Sequence, residues 1–170
     1  DLIHERGIVA GLYNCSFVST GDMERHDPGA VFAWVMDALM LGVGVGFDTR
    51  GAEKALKVAE REDSLDVYVI PDTREGWAES VRLLINSYLR TNKKIVFDYS
   101  LIRAYGEPIR GFGGTSSGPE PLIKVHEQIT KILDSRVGEV FDSRAIVDMV
   151  NLIGTCVVAG NVRRSATIAL

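Results

Sequence analysis

Apolar residues recur along the chain with two different spacings. Residues 12–19 alternate between two faces, which predicts a strand, and Cys15 shares its face with Tyr13 and Phe17. A thiol on such a strand points into whatever the sheet encloses, although a lone cysteine is most often a small buried hydrophobe. Further strands are predicted over residues 43–47, 94–99 and from 165 onward.

Spacings of three and four residues predict helices. The first, residues 29–41, is apolar almost all round with Asp37 as its one charge, so we expect it to be buried. Three later helices each carry a single apolar face: residues 72–89, residues 120–133, and a last helix capped by Asp142 or Ser143 that carries Cys156 near its end. Strand, helix and strand follow one another around residues 72–89, which is typical of a parallel sheet. The predicted fold class is therefore α/β.

Local signals refine these boundaries. Asp27 precedes Pro28, so Asp27 is predicted as the N-cap of the first helix. Asp72 and Glu75 have the spacing of a capping box, which predicts that the second helix begins at Asp72. Residues 52–70 combine helix formers with apolar alternation around a polar turn, and we favour a hairpin there.

Residues 42–46 read Gly-Val-Gly-Val-Gly, which invites interpretation as a nicotinamide-dinucleotide site. That fingerprint requires a strand before the glycines and a helix after them, whereas here a helix precedes and a strand follows. Glycines inside a strand more often mark a close approach of another backbone. A nicotinamide enzyme is therefore only one of the alternative hypotheses.

Composition narrows the classes of function. The 170 residues are 46% hydrophobic and 25% charged, which suffices for one domain with a sizeable core. A net charge of −4 argues against a nucleic-acid partner. No apolar run or N-terminal signal predicts a membrane partner. Two cysteines make no disulfide framework, so we expect a reducing, cytoplasmic location.

The histidines and the termini add two expectations. His4, His26 and His126 have no cysteine or carboxylate at metal-ligand spacing, so no metal site is predicted. The chain begins without Met and stops within an apolar strand pattern. We therefore expect a piece of a longer protein.

Residues 103–119 form a long predicted loop that contains two arginines, glycines and hydroxyl side chains. The loop runs into a helix, and backbone amides, hydroxyls and a helix N-terminus together suit a phosphate. A flexible surface loop is the equal alternative. Arg163 and Arg164 follow a Gly-Asn turn and also suit a phosphate or a nucleobase, although adjacent arginines are commonly just solvated.

Five stretches together resemble the large catalytic chain of ribonucleotide reductases, and in particular the adenosylcobalamin-dependent ribonucleoside-triphosphate reductases. They occur in the order of that family and nearly span the chain. The stretches are residues 13–19 (YNCSFVS), 41–51 (LGVGVGFDTRG), 71–77 (PDTREGW), 111–122 (GFGGTSSGPEPL) and 157–166 (VVAGNVRRSA).

The resemblance implies a ten-stranded α/β barrel around a finger loop, of which residues 1–170 would be a partial catalytic barrel domain, about the first half, truncated at both ends. It implies replacement of the ribose 2′-hydroxyl by hydrogen through thiyl-radical chemistry, with adenosylcobalamin as cofactor and a redox cysteine pair. The implied partners are a ribonucleotide substrate, a deoxynucleotide effector and a thioredoxin-like or dithiol reductant.

Residue by residue, the resemblance first implies roles near the substrate. Cys15 matches the first redox cysteine of the family, where a thiol must lie beside the sugar and pair with a second thiol. Asn14, its neighbour, would contact the substrate. Cys156 matches no functional cysteine of the family, so we expect a structural role for Cys156 and no bridge between Cys15 and Cys156.

The resemblance also implies an allosteric site. Asp22 would accept a hydrogen bond from a ribose hydroxyl, Arg103 would pair with a phosphate, and Ile109 would pack on the sugar or base. The mobile loop that couples effector and substrate falls on Gly160, Asn161, Arg163 and Arg164. Which of the two arginines makes the contact is left open.

Several parts of the family are without a counterpart in these 170 residues: the radical-carrying cysteine, the second redox cysteine and the residues that hold cobalamin. The isolated stretch is therefore expected to be inactive. Two further hypotheses stay open. One is a non-catalytic nucleotide-binding regulatory module built from the 103–119 loop and the arginine pair, and the other is an iron-dependent branch of the same reductase family.

Overall fold

The computed structural model describes residues 15–108, 115–160 and 167–169. Within these ranges strands and helices are interspersed along the chain. The strands are β1 (Cys15–Val18), β2 (Gly44–Phe47), β3 (Glu62–Val69), β4 (Lys93–Asp98) and β5 (Thr167–Ala169). The helices are α1 (Gly29–Met40), α2 (Arg74–Leu89), α3 (Glu120–Ser135) and α4 (Ser143–Gly160).

Strands β1, β2 and β5 form one parallel sheet in that order. The pairing of β1 with β2 runs from Cys15 opposite Gly44 to Val18 opposite Phe47. Helix α1 makes the crossover between these two strands, as parallel pairing demands. The predicted strands at residues 43–47 and after residue 165 are therefore confirmed, and so is the α/β class.

Strands β3 and β4 form a second parallel pair with α2 as the crossover. The predicted hairpin within residues 52–70 is therefore wrong. Its first arm is a 3₁₀ turn (Arg50–Lys54) followed by an extended connection, because Leu56 and Val58 pair with the chain just before α4 instead. The Val58 amide donates to the carbonyl of Glu139 at 2.9 Å, and the Phe141 amide donates to the carbonyl of Leu56 at 2.6 Å.

The four helices enclose the hydrophobic core. Helix α1 packs against α2 and α4, and α3 packs against the same two helices from the other side. Residues 31–39 of α1 are all buried, including Asp37, which accepts a hydrogen bond from Nε of Arg74. Phe32 packs edge to face on Phe141, with ring centroids 5.9 Å apart. The predicted burial of the first helix is confirmed.

The start of α1 differs from the sequence prediction. Asp27 does not cap the helix with its side chain, because its carboxylate accepts hydrogen bonds from Nε of Arg82 (3.0 Å) and Nδ2 of Asn86 (2.8 Å). Asn86 returns the contact, since its Oδ1 accepts from the amide of Gly29 at 2.7 Å. The polar groups at this end of α1 are therefore satisfied by α2 across the helix interface.

The predicted N-cap residue is wrong for α2 and right for α4. Thr73, one residue later than predicted, is the N-cap of α2, and its Oγ1 accepts from the amide of Gly76 at 2.9 Å. Asp72 is engaged elsewhere. At α4 the predicted cap is confirmed, because Oδ1 of Asp142 accepts from the amide of Ala145 at 2.9 Å.

Helix α4 is long and apolar enough to cross a membrane by length and composition, which the sequence reading did not anticipate. Its inner face nevertheless packs against α1 and α3 as a core helix does. The buried residues of this face are Ala145, Ile146, Met149, Val150, Ile153, Cys156 and Val157.

Candidate functional site

The sheet of β1, β2 and β5 has one face that packs into the core and one that carries Cys15. Val18 on β1 and Val45 and Phe47 on β2 point into the helical core, where each is at most 2% exposed. Cys15 and Phe17 point the other way, and Cys15 is an exposed, free thiol. Within the described residues the helices cover only the opposite face, so the enclosure of Cys15 expected from the sequence stays a prediction.

The glycines of β2 lie directly beside this thiol. In the parallel register Gly44 is opposite Cys15 and Gly46 is opposite Phe17, so both glycines belong to the exposed face. A strand face without side chains lets another molecule approach the backbone closely. The alternating glycines thus leave the sheet surface next to Cys15 free of side chains. The sequence had indicated a close approach at these glycines, but not that Cys15 lies beside them.

The carboxyl ends of β1 and β2 are joined by Asp48, a residue that sequence reasoning did not single out. Its Oδ2 accepts from Oγ of Ser19 at 2.7 Å, and its Oδ1 accepts from the amide of Thr20 at 2.9 Å. Oγ1 of Thr20 in turn accepts from the amide of Gly51 at 2.8 Å. Burial acts to raise the pKa of Asp48, but the hydrogen bonds from Ser19, Arg50 and Thr20 outweigh it and lower the pKa.

Asp22, one of the predicted effector residues, lies in the 3₁₀ turn (Thr20–Asp22) that Asp48 holds in place. Asp22 is exposed, and its amide donates to the carbonyl of Ser19 at 3.2 Å. The structure thus places Asp22 at the carboxyl end of a parallel strand, the edge at which α/β proteins commonly bind ligands.

Arg103, the second predicted effector residue, is fixed by Asp72. The amide of Arg103 donates to Oδ2 of Asp72 at 3.0 Å, and Nε of Arg103 forms an ion pair with the same oxygen at 2.9 Å. The carbonyl of Arg103 accepts from Oγ of Ser116 at 3.1 Å. Asp72 therefore orients Arg103, a function that the capping-box interpretation of Asp72 concealed.

Gly160, the first residue of the predicted specificity loop, is the last residue of α4 and lies against the same segment. A Cβ placed on Gly160 would be 3.3 Å from Oγ of Ser117 and 3.6 Å from Cζ3 of Trp77. Since Ser117 follows the Ser116 that binds Arg103, the structure brings Arg103 and Gly160 to one short segment.

Several predicted site residues lie outside the described part of the chain: Asn14, Ile109, Asn161, Arg163 and Arg164. The two cysteines are both free, and no bridge joins Cys15 to Cys156. Cys156 is buried in α4, and burial raises its pKa to about 12. Among residues 15–108 and 115–160, no group of three or more His, Cys, Asp or Glu is arranged to hold a metal ion.

Comparison with known proteins assigns the family. The family described as "B12-dependent ribonucleotide reductase, insertion domain" matches residues 47–133. An "Adenosylcobalamin-dependent ribonucleoside-triphosphate reductase" of Euglena gracilis is 47% identical over an alignment of 170 positions, which covers 99% of this chain and 23% of that protein. A "Probable adenosylcobalamin-dependent ribonucleoside-triphosphate reductase" of Dictyostelium discoideum is 44% identical over an alignment of 180 positions, which covers 96% of this chain and 24% of that protein.

A solved structure agrees with the sequence matches. The crystal structure of a B12-dependent (class II) ribonucleotide reductase superposes with a TM-score of 0.76 at 28% identity, and covers 90% of this chain and 28% of that one. The class of protein that all these matches share is the ribonucleotide reductases. The chain belongs to the B12-dependent ribonucleotide reductase family. It spans about a quarter of the length of the curated relatives that it matches.

Proposed function

We propose that this chain is part of the catalytic barrel of an adenosylcobalamin-dependent ribonucleoside-triphosphate reductase, which converts ribonucleotides into deoxyribonucleotides. The observation that carries the proposal is the free thiol of Cys15 on an exposed sheet face, with Gly44 beside it on the neighbouring strand. The glycine leaves room for a sugar next to the thiol. Asn14 would contact the same substrate.

The barrel itself is part of the proposal. Three parallel strands with helices on one face are the arrangement expected of a barrel segment, in which helices surround a sheet. The exposed face with Cys15 and Phe17 would then line the interior of the ten-stranded barrel, closed by the remainder of the longer protein. This assignment explains why the face opposite the helices is open in residues 15–108.

Cys15 would supply electrons. Replacing a hydroxyl by hydrogen and releasing water requires two electrons and two protons, which two thiols provide when they become one disulfide. Cys15 is one of these thiols, and the second belongs to the remainder of the protein. A thioredoxin-like or dithiol reductant then restores both thiols. Cys156 is unsuitable for this role because its thiol is buried and its pKa is raised to about 12.

The cofactor site is assigned to the remainder of the protein. Adenosylcobalamin, when bound, supplies the radical that starts the reaction. Among the described residues no group of three or more His, Cys, Asp or Glu could hold a free metal ion, and we assign none of these residues to the cofactor. The contribution of this stretch is the reducing thiol and the surface beside it. We expect no turnover from residues 1–170 alone, and the cytoplasmic location is part of the same proposal.

We also propose a deoxynucleotide effector site. Asp22 would bind a ribose hydroxyl, Arg103 a phosphate, and Ile109 the sugar or base. The loop of Gly160, Asn161, Arg163 and Arg164 would carry the signal to the substrate. The arrangement that supports this coupling is the segment of Ser116 and Ser117, which contacts Arg103 on one side and Gly160 on the other. Such coupling requires that the effector bind one arrangement of the loop more tightly than the other.

The function is tested with the complete protein. It is incubated with a ribonucleoside triphosphate, dithiothreitol and adenosylcobalamin, and the deoxynucleotide product is measured. The proposal expects product only when the cobalamin is present. Product with ferrous iron in place of cobalamin would favour the iron-dependent branch. Deoxynucleotide binding without any turnover would favour a nucleotide-binding regulatory module.

The effector site is tested separately with Arg103→Ala. We expect this variant to bind a deoxynucleoside triphosphate about tenfold or more weakly, because a charged hydrogen bond to phosphate is lost. Basal turnover without effector serves as the control. An unchanged Kd for the deoxynucleotide would contradict the phosphate role of Arg103.

A further inference from the structure

A buried histidine, His126, connects helix α2 with the turn that leads into Arg103. His126, on the inner face of α3, is 4% exposed. Its Nε2 lies 2.8 Å from Oγ of Ser80 on α2, and its Nδ1 lies 2.6 Å from the hydroxyl of Tyr99 just after β4. The ring also stacks on Phe97, with centroids 4.3 Å apart. His126 therefore joins α2, α3 and the end of β4 at one point.

The hydrogen bonds of the neighbours fix the proton on this ring. Oγ of Ser80 donates its single proton to the carbonyl of Trp77 at 2.7 Å, so it can only accept from Nε2 of His126. Nδ1 then accepts the proton of the Tyr99 hydroxyl. Burial lowers the pKa of His126 to about 3, which keeps the ring neutral in this arrangement.

Tyr99 is close to Arg103 in the chain and in space. The amide of Ile102 donates to the carbonyl of Tyr99 at 3.1 Å, so residues 99–102 form a tight turn, and Ile102 is 7% exposed. This turn leads directly into Arg103. A fixed Tyr99 side chain thus fixes the backbone from which Arg103 projects.

His126 is also connected, through Ser80 and Trp77, to the neighbourhood of Gly160. Ser80 and Trp77 lie one turn apart on α2, and the Trp77 ring is the neighbour of Gly160. Asp72, which binds Arg103, lies just before the same helix. Helix α2 is therefore tied to the Arg103 segment twice, through Asp72 and through His126 with Tyr99.

We propose that His126 is a positioning residue: through Tyr99 it holds the Arg103 segment in place against α2, and so it sets the affinity of the protein for an anionic deoxynucleotide effector. The proposal rests on the proposed function in one respect, namely that Arg103 binds the effector phosphate. The part that concerns the position of Arg103 stands on the contacts of His126 alone.

The test uses Tyr99→Phe in the complete protein, because this change removes the hydroxyl bound to His126 and keeps the ring. Tyr88→Phe is the matched control. Tyr88 is a buried tyrosine, whereas Tyr99 is half-buried, and the Tyr88 hydroxyl donates to Oδ1 of Asp134 on α3 at 2.6 Å. His126→Gln is the second variant, since a glutamine amide can replace the bond to Ser80.

Two quantities are measured: hydrogen exchange of the Arg103 amide and the Kd of a deoxynucleoside triphosphate. We expect Tyr99→Phe to speed exchange of the Arg103 amide about tenfold and to raise the Kd about fivefold, as the loss of one hydrogen bond predicts. Tyr88→Phe should change neither by more than about twofold, even where it lowers Tm equally. His126→Gln should fall between wild type and Tyr99→Phe.

Unchanged exchange of the Arg103 amide in Tyr99→Phe would overturn the proposal, and so would an equal increase of the Kd in Tyr88→Phe. A wild-type Kd in Tyr99→Phe despite faster exchange would also overturn the link to affinity. Arg103→Ala separates this failure from that of the proposed function. If Arg103→Ala also keeps the wild-type Kd, Arg103 does not bind the effector, and it is the proposed phosphate contact that fails.

Discussion

Arg103 and Asp72 are joined twice across 31 positions of sequence, because the amide of Arg103 donates to Oδ2 of Asp72 and Nε of Arg103 forms an ion pair with the same oxygen. The side chains are 36% and 22% exposed, so the pair lies at the surface while its backbone is held. With Nε engaged, an anion would bind through the two terminal Nη groups, which match two phosphate oxygens.

The first prediction concerns Asp72. Asp72→Ala should weaken binding of the deoxynucleotide about fivefold to tenfold, because the guanidinium loses its fixed orientation. Asp72→Asn should keep most of the affinity, since the amide oxygen can still accept from the Arg103 amide and lie beside Nε. Titration calorimetry with the complete protein measures both values. Tighter binding by Asp72→Ala would mean that the carboxylate competes with the phosphate.

The second prediction concerns the glycine beside Cys15. Gly44→Val should lower kcat/KM for the ribonucleotide at least about tenfold, because a branched side chain fills the space next to the thiol. The fold should be kept, since valine suits a strand and the buried core side chains of β1 and β2 in the described residues lie on the opposite face. The Kd of the effector serves as the control. Unaltered kcat/KM would show that the substrate does not approach this face.

The third prediction distinguishes the two thiols. Cys15 is exposed in the described residues and would face the substrate space of the proposed barrel, which a small reagent can enter, whereas Cys156 is buried with its pKa raised to about 12. Iodoacetamide should therefore modify Cys15 at least about a hundredfold faster than Cys156, because only the thiolate reacts. Mass spectrometry of the peptides resolves the two rates in the complete protein. Comparable rates would contradict the burial of Cys156.

The fourth prediction follows from the neutral His126. Its pKa falls from 6.5 to about 3 on folding, so between these values the unfolded chain binds a proton that the folded chain does not. The stabilising contribution is therefore complete above pH 6.5 and is lost as the pH falls toward 3. Tyr99, whose pKa is raised to about 12 by burial, is the titratable group in contact and stays neutral throughout.

A comparison of wild type with His126→Gln measures this effect. Relative to the variant, the free energy of unfolding of the wild type should fall by about 1.5 kcal/mol between pH 6.5 and about pH 5. Urea unfolding at several pH values provides the data. If the free energy of unfolding of the two proteins had the same pH dependence, His126 would bind its proton equally well in the folded and unfolded states, which would contradict the prediction.

Regular elements were predictable where one physical signal dominated. Helix α1 was predicted from its continuous apolar sequence, and α3 from the spacing of Leu122, Val125 and Ile129. The hairpin prediction failed because alternation along β3 does not specify its partner, and the parallel partner β4 arrives only after the α2 crossover. The strand–helix–strand order around residues 72–89 indicated the parallel pair, whereas the alternation within residues 52–70 suggested a nearer partner.

The candidate site was predictable in part, for a similar reason. Cys15 and Arg103 were identified by resemblance, but their surroundings depend on residues distant in sequence. Asp72 looked like a helix cap, and its bond to Arg103 appears only when α2 and the turn after β4 are folded together. His126 gave no signal at all, because burial and two distant hydroxyls define its role.

The most direct test of the account is turnover of the complete protein that carries Cys15→Ser, with Cys156→Ser as the matched control. The assay contains a ribonucleoside triphosphate, adenosylcobalamin and dithiothreitol. The account predicts that Cys15→Ser forms no deoxynucleotide above background, because serine cannot form the disulfide that supplies two electrons, whereas Cys156→Ser stays active. Continued turnover by Cys15→Ser at the wild-type rate would contradict the role of Cys15 as a redox thiol.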